Sequence, residues 1–110
     1  MIHMLSRFDL KPGVDFHAFR TSYKSFCEQM QAEGLLVQTG ELGQRVLDTP
    51  MDTDDEHAPK YYSVMSFRDR KQLDAAYAHI ASLDAGDKAE HVAVRDAVLS
   101  PVFTCWRDFA

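Results

Sequence analysis

Apolar and polar residues alternate along Ile2–Leu10. One set is Ile2, Met4, Ser6, Phe8 and Leu10, nearly all apolar; the other, His3, Leu5, Arg7 and Asp9, is mixed. An extended chain sends successive side chains to opposite faces, so the pattern predicts a first strand with one dry face and one partly covered face. Pro12-Gly13 ends it, because proline has no amide donor and glycine favours a turn. The spacing then changes. Phe16, Phe19, Tyr23, Phe26 and Met30 recur every three or four residues, which places them on one side of a helix, while Lys24, Glu28 and Gln31 fall elsewhere. Asp15 stands where an N-cap belongs, Val14 and Phe19 at the positions of a hydrophobic staple, and Gly34 at the C-terminal stop. Such an aromatic stripe is read as core packing against a sheet in preference to a cofactor box.

Leu35–Leu47 predicts a second strand interrupted at Gly40 and Gly43, either bent there or divided into two short strands with a turn between them. Asp48–Pro59 is a long loop carrying Asp52, Asp54, Asp55, Glu56 and His57. It lacks the central glycine and terminal glutamate of a calcium loop, so a solvated, mobile hairpin loop is expected. In Lys60–Phe67, Tyr61, Ser63, Met65 and Phe67 alternate with Tyr62, Val64 and Ser66, as in a third strand covered on both faces. Asp69 and Gln72 form a capping box for a second helix with Leu73, Ala76, Tyr77, Ile80 and Leu83 on its apolar face and His79 in water. Asp84-Ala85-Gly86 breaks this helix. Asp87 and Glu90 form another capping box, opening a short helix over 88–99 in which His91, Val94 and Val98 share one face. Pro101 drives Ser100 out of helical geometry. The last strand, Val102–Asp108, then sets Val102, Thr104 and Trp106 against Phe103, Cys105 and Arg107.

This order predicts an α+β chain with the ferredoxin-like βαββαβ plan. It has a four-stranded antiparallel sheet with strands one and three central and two main helices on one face, plus a short third helix. The reverse face would hold Leu5, Tyr61 or Tyr62, and Phe103 or Trp106, depending on register. A bare aromatic sheet face is a large exposed apolar patch. The same face of a second copy is its simplest cover, giving a two-fold homodimer whose sheets close into an α+β barrel.

Composition narrows the function classes. A length of 110 residues predicts one domain spanning 1–110. A net charge of −5 with no local Lys/Arg cluster argues against nucleic-acid binding, which depends on neutralising phosphates. No apolar run is long enough to cross a bilayer and no signal-peptide pattern opens the chain, so a cytoplasmic protein off the membrane is expected. Cys27 and Cys105 are read as reduced, buried thiols. No zinc pattern, phosphate loop or dinucleotide fingerprint is present, so no metal and no cofactor are expected, and no Ser-His-Asp or Cys-His arrangement follows from spacing.

The stretch Phe8-Asp9-Leu10-Lys11-Pro12-Gly13-Val14, leading from a strand straight into a helix, resembles the start of stress-responsive dimeric α+β barrel proteins. The region Tyr62–Phe109 resembles an uncharacterised bacterial family of that superfamily, through Phe67-Arg68-Asp69, Gln72-Leu73-Asp74-Ala75-Ala76, His91 and Arg107-Asp108-Phe109. The resemblance implies the ferredoxin-like dimer. The superfamily includes monooxygenases, muconolactone isomerase-like enzymes and haem-degrading proteins, so it implies no single reaction.

Five side chains are candidates for contact with a ligand. His91 shares its helix face with Val94 and Val98 and should point inward, where an imidazole can serve as a general base, a hydrogen-bond donor or a haem ligand; a structural histidine is the alternative. His3 and Arg7 lie on the mixed face of the first strand. Arg7 there would hold an anionic group or pair with Asp9 or Asp108. Tyr62 and Trp106 would add flat walls and one donor each. The expected function is binding or conversion of a small apolar or aromatic molecule inside a dimeric barrel. The alternative is a non-catalytic stress-response or interaction homodimer.

Overall fold

The computed structural model describes residues 1–84 and 89–109. Its elements are β1 (Ile2–Leu10), α1 (Phe16–Ala32), β2 (Gln38–Thr39), β3 (Gly43–Gln44), β4 (Tyr61–Phe67), α2 (Arg70–Asp84), α3 (Ala89–Ala97) and β5 (Val98–Arg107). All pairings are antiparallel. β1 lies between β4 and β5, and the outer edge of β4 is paired by β2 and β3 one after the other. This is the ferredoxin-like plan, with the first strand and Tyr61–Phe67 central as expected.

The second strand is the two-piece alternative. β2 meets Met65 and Ser66, β3 meets Tyr61 and Tyr62, and residues 40–42 run between them. The Gly40 amide still reaches the Val64 carbonyl at 3.0 Å, so the edge stays hydrogen-bonded across the break.

The helices close as their sequences dictate. The Asp15 carboxylate accepts from the His17 amide at 3.1 Å. Gly34, at φ 73°, ends α1, and the Leu35 amide returns to the Met30 carbonyl at 2.9 Å. At the start of α2 the Gln72 amide donates to Asp69 at 2.9 Å. The Gln72 side chain accepts from the Arg68 amide, one residue before the position a capping box uses, and donates to the Gly34 carbonyl at 3.0 Å. One buried glutamine thus ties the start of α2 to the end of α1. His79, expected in water, lies 3.1 Å from Glu33 and forms a second tie between these helices. Ala85 and Gly86 of the predicted break and Asp87 of the predicted cap lie outside the described residues.

The chain leaves α3 earlier than the spacing predicts. Helix ends at Ala97 instead of Leu99, and strand begins at Val98 instead of Val102. The Lys11 amide donates to the Ala97 carbonyl at 2.9 Å and Leu10 pairs with Val98, so the ladder with β1 captures the chain at once. The β1–β5 register then slips between Arg7 and Asp9. Ser100 and Pro101 stand opposite Phe8 alone, with Ser100 at φ 51°. This bulge shifts the alternation by one residue, so Val102, Thr104 and Trp106 share a face with Arg7, Leu5 and His3.

Ile2, Ser6 and Phe8 of β1 and Ser63, Met65 and Phe67 of β4 are buried on the helix side, against Phe19, Tyr23, Phe26, Cys27 and Met30 of α1 and Ala76 and Leu83 of α2. Tyr77, predicted on the apolar face of α2, is instead 74% exposed. Cys105, predicted buried, is also exposed. Phe67 is 2% exposed. Its replacement by alanine is expected to cost about 3–5 kcal/mol in urea unfolding, whereas Tyr77→Ala should stay within about 0.5 kcal/mol of the parent. Equal effects would mean that the buried face is assigned to the wrong side of α2.

Candidate functional site

Among the described residues, open volumes with polar side chains lie against both faces of the sheet. The first lies between the helices and the sheet. Ser6 and Ser63 are cross-strand partners on β1 and β4, buried on a face otherwise built from large apolar groups. Their small side chains leave space above the middle of the sheet. Phe8, Phe19, Phe26 and Met65 form the walls, α3 contributes His91 and Val94, and Arg95, Pro101 and Phe103 stand at the exposed mouth. The resulting cavity holds about 530 Å³, within the range of small-molecule sites.

The polar groups here are few and fixed. Tyr23 lies 3.3 Å from the Thr39 hydroxyl, and burial raises its pKa far above that of an ordinary phenol, so it stays protonated and able to donate. Burial also raises the pKa of the Cys27 thiol, one helical turn from Tyr23, and keeps it neutral; it does not line this cavity. His91 is buried, its ring tilted against Phe26 with centroids 5.6 Å apart. An apolar chamber carrying a phenol, hydroxyls and an imidazole can enclose a flat or aliphatic molecule and meet one or two of its polar atoms.

The second place is the reverse face of the sheet, where His3, Leu5, Arg7, Tyr62, Val64, Ser66, Val102, Thr104 and Trp106 lie together. His3 is held between the Ser66 hydroxyl, 2.7 Å from Nδ1, and Asp108, 2.9 Å from Nε2. Asp108 also lies 3.6 Å from the N-terminal amine. This hydrogen-bonded serine, histidine and aspartate cannot be seen from spacing. Ser66 is buried beneath the imidazole, so the chain of bonds orients His3 and presents no nucleophile. Tyr62 lies across Gly43, its cross-strand partner, and a Cβ at that position would overlap the tyrosine ring. The bare glycine therefore sets where the ring rests.

Arg7 pairs with Asp54 at 3.2 Å, not with Asp9 or Asp108. Asp9 instead accepts from the Lys60 amide at 2.9 Å. The acidic loop is thus anchored over the reverse face at Asp54, while most of its residues, Met51, Asp55, Glu56 and His57 among them, stay exposed as its composition predicts. Arg45 is the clamp: its guanidinium grips both carboxylate oxygens of Asp52 at 2.7 and 2.8 Å and also donates to the Asp54 and His57 carbonyls. Asp54 accepts from the amides of Glu56 and His57, and these bonds hold its carboxyl down to a pKa of about 2. Between this arm and the sheet lies a groove of about 600 Å³. Among the described residues no group of three or more His, Cys, Asp or Glu side chains forms a metal-binding cluster.

The five candidate residues therefore do not meet in one pocket. His3, Arg7, Tyr62 and Trp106 share the reverse face, while His91 lines the cavity on the other side of the sheet. A single interior walled by both His91 and Arg7 is ruled out by this placement. Ser6, Ser63 and Tyr23 were not anticipated. Their signal in the sequence is two serines at inward positions of strands, and only the β1–β4 register shows them to be neighbours.

A family model matches residues 1–110 in full. The chain belongs to a family of unknown function, DUF6614. Solved structures agree in fold. Arabidopsis thaliana At3g17210 superposes with a TM-score of 0.73 at 9% identity, covering 100% of this chain and 97% of that one. A dimeric ferredoxin-like protein of unknown function from Thermobifida fusca gives 0.60 at 10% identity, covering 96% and 88%. A dimeric protein of unknown function with a ferredoxin-like fold from Bacteroides fragilis gives 0.55 at 13%, covering 97% and 95%. Among curated proteins none matches. The likeness extends to a plant protein and is not confined to bacteria, and neither the family nor these structures is described as stress-responsive. No helix among the described residues is long and apolar enough to cross a membrane.

The arm should respond to acid. Because the folded pKa of Asp54 is depressed, its ionised form stabilises the arm above the ordinary value of 3.8, and that contribution is lost as pH falls towards about 2. Amide exchange at Glu56 and His57 is expected to lose protection across this window. Asp54→Asn should show weak protection at every pH. Full protection in the variant would remove Asp54 as the organiser.

Proposed function

We propose that this single-domain chain forms a homodimer through the reverse face of its sheet and that each copy binds one small apolar or aromatic molecule in the cavity between sheet and helices. The observation that carries the ligand reading is the cavity of about 530 Å³, apolar on most of its wall and supplied with Tyr23, Ser63 and His91. A concave, mostly apolar pocket of this size, open at one mouth, favours an occupant that takes its walls out of water. The polar atoms then select a molecule with a hydroxyl or carbonyl group to meet them. This differs from a ligand held between two sheets, because the enclosing walls belong to one copy.

The dimer reading rests on two supports. The Thermobifida fusca and Bacteroides fragilis proteins of this fold are dimeric. In this chain Tyr62, Val102 and Trp106 expose large apolar surface on the face that the helices leave open. An aromatic face of that kind is stabilised by removal from water.

The test uses a neutral hydrophobic dye such as Nile red, with light scattering for the mass. One dye per chain is expected. Val94→Trp, which fills the cavity from α3, should weaken binding at least tenfold while circular dichroism stays unchanged. A dye that does not bind, or binds a folded Val94→Trp variant equally well, would sink the ligand reading.

A further inference from the structure

The reverse face carries an exposed knob at one end and an open socket at the other. We infer that in the homodimer Trp106 of each copy seats in the groove beneath the arm (residues 45–59) of its partner, an inference that rests on the dimer reading above.

Trp106 is 64% exposed, and its one polar atom, the indole N–H, already donates to the Thr104 hydroxyl at 3.0 Å. Its ring carbons are left facing water from a rigid strand. The groove has about 600 Å³ of open space and is lined by Leu5, Arg7 and Tyr62 from the sheet and by Val46 and Met51 from the arm. Met51 is 89% exposed and Val46 is also exposed, so the arm offers apolar groups that its own copy leaves wet. The Arg45 clamp holds the arm in place, so little ordering remains to be done on association.

Position on the sheet joins the two. Trp106 is the cross-strand partner of His3, and Tyr62 is that of Arg7. Knob and socket therefore flank Leu5, which lies midway between His3 and Arg7 on the same face. A two-fold axis close to Leu5 exchanges the two ends of the face. Each tryptophan then comes over the partner's groove, and the contact is made twice. The chemistry also fits. An indole face is attracted to a guanidinium such as that of Arg7 and packs well against a thioether such as that of Met51. A tryptophan in a preformed pocket is the usual centre of binding energy in an interface.

The chain has one tryptophan, so its fluorescence reports this site alone. Light scattering gives the mass, and emission with acrylamide quenching is followed over a dilution series. A dimer is expected, with blue-shifted, quencher-protected emission that shifts red and becomes quenchable as the dimer dissociates. Trp106→Ala and Met51→Asp each should weaken dimerisation at least about tenfold. Tyr77→Asp, an exposed aromatic on α2, should leave it unchanged. Met51 is a surface side chain, so this variant tests the socket even if Trp106→Ala folds poorly. A dimer whose tryptophan is fully quenchable, or whose affinity ignores Met51→Asp, overturns the inference and leaves the dimer standing. A monomer at every concentration overturns both.

Discussion

β1 is hydrogen-bonded along both edges, to β4 and to β5, so its alternation assigns the facing side chains of both neighbours to one of two surfaces. Ile2, Met4, Ser6, Phe8 and Leu10 look towards the helices; His3, Leu5, Arg7 and Asp9 look away. A slip of one residue in either ladder would exchange those surfaces. Such a slip is resisted energetically, because it would expose Phe8, Met65 and Phe67 and bury Arg7. Where β5 would otherwise run out of phase, the bulge at Ser100 and Pro101 restores it. Proline is tolerated there because a bulge leaves its position outside the ladder.

The two sides of the sheet then take different characters from one set of strands. On the helix side, aromatic groups of α1 pack over the strands, and above the small Ser6 and Ser63 a space remains that α3 borders with His91 and Val94. The cavity is thus a consequence of two small side chains at the centre of a sheet and of a short helix laid across α1. On the reverse side no helix covers the sheet among the described residues. The chain instead folds its acidic arm back over the Arg7 end, with Arg45 gathering a carboxylate and two carbonyls that would otherwise spread into solvent. The Trp106 end has no such cover.

This division changes the chemistry assigned to each residue. Arg7, neutralised by Asp54, is part of the arm's anchorage and not a waiting anion site. His3 is fixed by two side-chain partners on a partly exposed surface, whereas His91 lies among aromatic groups. Both are inward-pointing or mixed-face histidines by spacing, yet they occupy opposite sides of a barrier one sheet thick.

Local pattern alone was enough for β1, for α1 from Asp15 to Gly34, for β4 and for the start of α2, because each is specified by contacts within a few residues: period, cap and stop. The ferredoxin-like order follows from them, since short connections leave few ways to stack such elements. Other features depend on residues distant in sequence. The early end of α3 depends on Lys11, the phase of Trp106 on a bulge opposite Phe8, the closed arm on Arg45 meeting Asp52 and Asp54, and the cavity on Ser6 lying beside Ser63. Hydrophobic periodicity says which side of an element is dry. Which residues meet across that dry layer is decided by register, and register exists only between strands.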